Sequence, residues 1–143
     1  MTKKVNKVVE FRVWKNRGYI IGMRLWHEEL INKLPRQQLL GQHRECAALR
    51  GAGWGRLHAT VNYVFEYSPY KLYQYHCLIL AEMEHRGYKP DEKWKNPLYR
   101  GKVVSEYEKL SEEVITHPIY PEHSEEYLEE CLDNLKAKNI HLS

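Results

Sequence analysis

The sequence predicts an all-α protein, a single compact domain of three main helices with long irregular connections. Three stretches repeat apolar residues at intervals of three and four positions, the spacing that keeps them on one side of a helix. Each stretch opens with a residue typical of a helix start. The chain has 143 residues, of which 43% are hydrophobic. That is enough to build one core without a structural metal.

The first predicted helix opens at Pro35, because proline is favoured in the first helical turn. We expect it to end near Arg50 and Gly51. Residues 51–55 are rich in glycine and predict an irregular segment, and the short β-prone run 60–65 is interpreted as loop or extended chain. The apolar residues of the helix fall on one broad side: Leu39, Leu40, Cys46, Ala47 and Leu49.

The second predicted helix starts with Ser68 as its cap and Pro69 as its first residue. It should stop at Gly87, since glycine readily adopts the left-handed conformation that ends helices, and Pro90 prevents the helix from resuming. Its predicted buried residues are Leu72, Tyr75, Ile79 and Met83.

The third predicted helix follows Pro121, with Ser124 as its cap. Glu125 and Glu126 occupy the first turn, where acidic side chains complement the helix dipole. A weaker helical segment, Ser105 to Val114, is expected before it. The buried stripe of the third helix should be Leu128, Cys131, Leu132 and Leu135.

Several classes of protein are disfavoured by composition. The three cysteines, Cys46, Cys77 and Cys131, contain no CxxC pair, so we expect reduced thiols in a cytoplasmic protein. No run approaches the roughly 20 apolar residues that a membrane span needs, and the N-terminus lacks the apolar core of a signal peptide. The eight histidines form no HExxH-like spacing, so metal-dependent hydrolysis is a minor alternative.

Charge is distributed unevenly along the chain. Residues 1–100 hold 18 Lys and Arg against 9 Asp and Glu, whereas residues 101–143 hold 4 against 10. The basic part is suited to a polyanion, although ordinary solvated surfaces would look the same. Residues 93–101 mix basic and aromatic side chains, which is plausible for a loop at a phosphate backbone.

The segment LPRQQLLGQHRECAAL contains the strongest candidate for chemistry. Gly41 and Ala48 lie about one turn on either side of Glu45 and leave space for a larger molecule to approach its carboxylate. His43 and Arg44 are placed to contact phosphate or to tune the ionisation of that carboxylate. A glutamate on a helix is more often simply solvated. The polar residues that share the face are Gln38, Gln42 and Glu45.

Four stretches in order resemble one family. MRLWH at Met23 is similar to the usual start of its bacterial members. The stretch from Leu72 to Tyr88 is similar to its second helix, and the stretch from Tyr127 to Asn139 is similar to its third. The family is that of the pyrimidine-dimer DNA glycosylases of the phage endonuclease V type. The spacing that resembles its first helix is that of Leu34, Gln37, Leu39, Arg44 and Glu45.

The resemblance implies a DNA repair enzyme with both glycosylase and abasic-site lyase activity. The nucleophile in this family is the α-amine at the start of the chain, and Glu45 matches the catalytic glutamate. An α-amine has a reference pKa of about 7.7 to 8.0 against about 10.4 for lysine, so more of it is free base at neutral pH. The implied partner is double-stranded DNA containing damaged pyrimidines, bound by a monomer without a metal or organic cofactor.

The family kinks DNA and extrudes a base, which costs a few kcal/mol that phosphate contacts can offset. Each arginine nominated for this role could equally be an ordinary surface residue. Four aromatic side chains, Trp54, Tyr63, Trp94 and Tyr99, are candidates for stacking on bases, although such residues more often belong to a core. The expected DNA-binding residues are Arg24, Arg36, Gln37, Arg44, Arg50 and Arg56.

The position of the start matters, because 22 residues precede Met23. The separation of Met23 and Glu45 is similar to that between the phage enzyme's start and its glutamate. We therefore expect a domain at 23–143 whose amine belongs to Met23 or Arg24, and an extension at 1–22 that reflects a mis-assigned start. If the extension is real, catalysis needs proteolysis or another amine. The competing interpretation is a non-catalytic helical module that binds DNA or a protein partner.

Overall fold

The structure is a computed structural model that describes residues 25–51 and 68–142. These two ranges contain helices and no strands, which confirms the all-α prediction with three main helices. None of these helices is long and apolar enough to cross a membrane. The main helices are α1 (Arg36–Arg50), α2 (Pro69–His85) and α3 (Glu125–Ala137), and 3-10 helices span Glu28–Lys33 and Glu92–Lys95. The predictions for residues 1–22 and 52–67 fall outside the described ranges.

The helix ends lie where the sequence predicts them. The hydroxyl of Ser68 accepts a hydrogen bond from Lys71 N at 3.2 Å, and that of Ser124 accepts one from Tyr127 N at 3.2 Å. Both serines satisfy backbone N–H groups that a helix start leaves unpaired. Beyond α2, Gly87 adopts a positive φ of 91°, as expected for a residue that ends a helix. Local signals therefore set both ends of α2 and the start of α3.

The core is formed by the inward sides of all three helices together with the first 3-10 helix. α1 packs against α2, and α2 packs against the 3-10 helix Glu28–Lys33. The predicted stripes are confirmed, with Leu40, Ala47, Leu128 and Leu132 partly buried at their margins. The three cysteines are free thiols. The buried residues of the predicted stripes are Leu39, Cys46, Leu49, Leu72, Tyr75, Ile79, Met83, Cys131 and Leu135.

The helix predicted for Ser105 to Val114 is wrong, because this segment is irregular. Its polar sequence offers no apolar stripe to bury, and Val114 is 87% exposed. Backbone and side-chain groups elsewhere hold the segment instead. Tyr107 N donates to Leu98 O at 3.0 Å, and the Gln74 side chain donates to Glu113 O at 2.8 Å.

Candidate active site

An open cavity of about 490 Å³ lies beside α1 and α3, and the half-buried side chain of Glu45 lines it. Gln38 and Gln42 line the same cavity, so the predicted polar face of α1 is confirmed. The face arises because residues three and four apart on a helix lie above one another. The full lining is Trp26, Gln38, Gly41, Gln42, Glu45, Tyr127, Asn134 and Lys138.

Space beside Glu45 comes from Gly41. A Cβ atom built at this position would meet only the Nη2 atom of Arg44, at 3.8 Å, which is ordinary contact. The predicted opening next to the carboxylate is therefore present on this side. Ala48, the other small residue expected to provide space, is buried and is not part of the lining.

Three side chains, one from each main helix, hold the backbone of Leu25 and Trp26. Trp26 N donates to Gln42 Oε1 at 2.6 Å, Tyr75 OH donates to Trp26 O at 2.5 Å, and Tyr127 OH donates to Leu25 O at 2.6 Å. Burial raises the pKa of Tyr75 and Tyr127 well above the usual value, so both phenols keep their protons at neutral pH. We call Gln42, Tyr75 and Tyr127 the backbone clamp.

The end of α3 brings a cation to the same cavity. Lys138 Nζ donates to Asn134 Oδ1 at 2.9 Å and lies 5.5 Å from the centre of the Trp26 ring. Asn134 of α3 and Lys138, which directly follows α3, line the same cavity as Glu45. Sequence reasoning missed Lys138 and Asn134, because α3 was interpreted only through its buried stripe.

His43 has a different environment from Glu45, although both lie on α1. Its Nδ1 atom is 2.9 Å from Nε2 of the buried His76, and it is not part of the cavity lining. Burial, followed by the nearby charges of Arg44 and Arg50, lowers the pKa of His43. His43 is therefore a neutral hydrogen-bonding partner of α2 rather than a neighbour of Glu45 in the cavity.

Comparison with known families decides the identity. The profile of the pyrimidine dimer DNA glycosylase family matches residues 23–96, just over half of the chain. The chain belongs to this family. The matched region begins at Met23 and includes both Trp26 and Glu45. Neither the curated proteins nor the solved structures contain a significant match.

The expected DNA-binding residues of this family member differ in their surroundings. Arg36, Gln37 and Arg44 are exposed on α1, where they are free to meet a ligand. Arg24 and Arg56 lie outside the described residues, as does Met23, which was expected to supply the amine.

Arg50 is buried, with 4% of its surface exposed. Its guanidinium donates to Trp94 O at 2.8 Å, to Asn96 O at 2.8 Å and to Tyr99 O at 3.0 Å. It also lies 3.1 Å from Nδ1 of His76. These contacts tie the end of α1 to the segment 94–99. A phosphate contact needs an exposed side chain, whereas the guanidinium of Arg50 is buried and bonded to groups inside the fold.

The aromatic residues of the segment 93–101 pack inside the fold. The rings of Trp94 and Tyr99 are 4.7 Å apart in an edge-on arrangement, and Tyr99 is 8% exposed. For these two side chains the structure favours the core interpretation over base stacking. Trp54 and Tyr63 lie outside the described residues.

No metal cluster appears in the described part of the chain, where no three His, Cys, Asp or Glu side chains come together as ligands. The polar groups around Glu45 are amides, a phenol and an ammonium group. Such a set is suited to hydrogen bonding and charge stabilisation of an organic substrate.

Proposed function

We propose that this family member is a DNA glycosylase with abasic-site lyase activity that acts on pyrimidine dimers in duplex DNA. The reaction proceeds through an imine between an N-terminal amine and the damaged nucleotide's sugar. The observation that carries the proposal is the shared cavity: Glu45 and Trp26 line the same opening, and Trp26 lies at the beginning of the family-matched region.

The proposed nucleophile is the α-amine of Met23, or of Arg24 after removal of the methionine. These residues precede Trp26 by three and two positions. A chain spans at most about 3.3 to 3.6 Å per residue, so the amine lies within about 7 to 11 Å of the Trp26 backbone. An amine on so short a tether can enter the cavity that holds Glu45.

The chemistry uses the amine as a nucleophile and the carboxylate as its charged partner. The amine attacks the sugar C1′, and the bond from C1′ to the damaged base breaks as the base leaves with the bonding electrons and takes up a proton. The bond from C1′ to the ring oxygen O4′ then breaks, O4′ becomes a hydroxyl, and loss of the remaining amine proton gives the imine. The Glu45 carboxylate stabilises the positive sugar and then accepts the C2′ proton, which releases the 3′ phosphate by β-elimination. General acid–base help of this kind is typically worth about 10²- to 10⁴-fold in rate.

The experiment uses protein that begins at Met23 and protein that begins at Met1, each incubated with abasic and dimer-containing duplexes plus borohydride. Borohydride reduces an imine to a stable covalent adduct. We expect the protein beginning at Met23 to form the adduct and to lose it when its α-amine is blocked. We also expect Glu45→Gln to lose strand cleavage by at least about 100-fold, the scale of an acid–base group.

The matched control is Glu29→Gln, because Glu29 is an exposed glutamate of the 3-10 helix and lines no part of the cavity. It should keep wild-type cleavage. Duplex binding without an adduct from either starting position would overturn the enzyme proposal and favour a non-catalytic DNA-binding module.

We also propose that Arg36, Gln37 and Arg44 contact the DNA, since all three are exposed on the helix that carries Glu45. Replacing Arg36 or Arg44 with alanine should weaken binding and reduce the slope of log K against log salt by about 1 per lost phosphate contact. Binding titrations across a salt series measure this slope. Lys109→Ala, an exposed cation in the acidic C-terminal part, should leave the slope unchanged.

A further inference from the structure

We propose that the backbone clamp of Gln42, Tyr75 and Tyr127 positions the N-terminal amine for attack on the sugar. This inference rests on the proposed function, because it concerns the same cavity and the same nucleophile. The three residues act through Leu25 and Trp26 and are therefore positioning residues.

The clamp contacts backbone atoms, and its members come from three different helices. Its hydrogen bonds join Tyr127 OH to Leu25 O at 2.6 Å, Gln42 Oε1 to Trp26 N at 2.6 Å, and Tyr75 OH to Trp26 O at 2.5 Å. Chain ends fray unless other elements hold them. Because the bonds engage the C=O of Leu25 and both the N–H and the C=O of Trp26, they hold two consecutive peptide groups next to the residues proposed to carry the amine.

The buried phenol groups point to a role beyond filling space. Tyr75 is fully buried and Tyr127 is 3% exposed, so their hydroxyls lose hydration unless they form hydrogen bonds. Phenylalanine would fill nearly the same volume without that cost. Both hydroxyls instead donate to the stretch that leads from the proposed amine to the Glu45 cavity.

Positioning has a large effect on rate. Holding reacting groups in a productive geometry contributes strongly to catalysis, and a displacement of about 1 Å can cost about 100-fold. The amine is tethered within three residues of the clamped backbone, so loosening the clamp lowers the fraction of molecules with the amine beside the carboxylate. The rate at saturating protein reports this fraction separately from DNA affinity.

The first test compares Tyr75→Phe, Tyr127→Phe and Gln42→Met in protein beginning at Met23. We expect each to lower the maximal single-turnover rate of borohydride trapping on abasic duplex, measured at saturating protein, by about 10- to 100-fold. Tyr73→Phe is the matched control. Tyr73 lies on α2, as Tyr75 does, but its hydroxyl donates to Lys95 O and not to the backbone of Leu25 or Trp26. It should trap at the wild-type rate.

The second test checks the hydrogen bond itself, independently of activity. Hydrogen exchange of the Trp26 amide should accelerate in Gln42→Met, which lacks the acceptor for this N–H. Gln42→Glu keeps an acceptor oxygen and should restore both amide protection and trapping. All variants are compared at a temperature well below their unfolding midpoints, so that loss of fold does not lower the rate.

The possible failures are distinguishable. If the wild type forms no adduct, the proposed function fails. If the Trp26 amide of the wild type also exchanges without protection, the hydrogen bonds of the clamp are absent and the positioning proposal fails as well. If the wild type forms the adduct and the variants trap at its rate although their Trp26 amides exchange freely, the clamp is structural only and the positioning role is overturned.

Discussion

Arg50 is a buried cation that is balanced by carbonyl groups and aromatic rings. Its guanidinium donates to three backbone oxygens and lies 5.0 Å from the Trp94 ring centre and 5.3 Å from that of Tyr73. Burial lowers the pKa of Arg50, but arginine stays protonated in proteins. The side chain thus joins α1, α2 and the segment 94–99 through one charged group.

We predict that Arg50→Lys and Arg50→Met destabilise the fold by about 1 to 3 kcal/mol, the usual cost of leaving buried hydrogen-bond acceptors without a donor. Lysine fails because it has three donors and no planar fork, whereas the guanidinium contacts four acceptors. Urea unfolding measures the loss. Arg44→Met changes an exposed position of the same helix and should leave the unfolding midpoint nearly unchanged. If Arg44→Met shifted the midpoint as much as Arg50→Met, the role assigned to Arg50 would be contradicted.

The role of Arg50 could not be predicted from the sequence, because its carbonyl partners lie 44 to 49 positions away. An arginine at the end of a helix in a basic stretch has the same local pattern whether it faces DNA or the interior. Glu45 differs, since helical periodicity alone places it on one face with Gln38 and Gln42, and the structure confirms that face. Residue roles are predictable where one helix determines them.

At the scale of elements, α1 combines a buried side with a face that lines the cavity. Gly41 lies in the middle of this helix, where glycine costs about 1 kcal/mol relative to alanine. The space around its Cβ position is open, since only Arg44 Nη2 approaches, at 3.8 Å. The sequence thus has a residue that lowers the stability of the helix at the position where α1 lines the cavity.

We predict that Gly41→Ala raises the free energy of unfolding by about 0.5 to 1 kcal/mol. Gly41→Leu should keep the fold but lower affinity for abasic duplex, because the added side chain occupies the cavity beside Glu45. Urea unfolding and DNA titration measure the two effects. Ala81→Leu places the same side chain at an exposed site on α2 and should not alter affinity. An unchanged affinity in Gly41→Leu would show that DNA does not use this opening.

The elements themselves were largely predictable because their ends depend on nearby residues. Ser68, Ser124 and Gly87 each act within a few positions of where they stand. The segment Ser105 to Val114 failed because a weak pattern cannot form a helix without a surface to pack against. The backbone clamp was not predictable, since its bonds join residues 16, 49 and 102 positions apart.

Across the whole molecule, buried histidines connect the elements while remaining neutral. His76 links α2 to both His43 and Arg50 of α1. His123 accepts a hydrogen bond from Glu28 N at 3.2 Å and stacks with both His27 and Tyr127, with ring centres 5.0 and 5.3 Å away. The fold therefore depends on imidazole rings that act as uncharged partners.

Stability should fall as the pH drops below about 6.5. Burial lowers the pKa of His76 and His123 well below the usual value of 6.5, and the charge of Arg50 contributes for His76. Below pH 6.5 the unfolded chain binds protons at these positions and the folded protein does not, so protonation favours unfolding. Each such histidine reduces stability by up to about 1.4 kcal/mol per pH unit, which urea unfolding at pH 5, 6, 7 and 8 measures.

A variant comparison assigns the pH effect to the buried rings. His76→Gln removes one group that the unfolded state protonates, so its stability should depend less steeply on pH between 5 and 6.5, even though lost hydrogen bonds lower its stability at every pH. His85→Gln changes an exposed histidine at the end of α2 and should keep the wild-type slope. If His76→Gln and the wild type show equal slopes, His76 is protonated in the folded protein, and the neutral ring that joins α1 to α2 is contradicted.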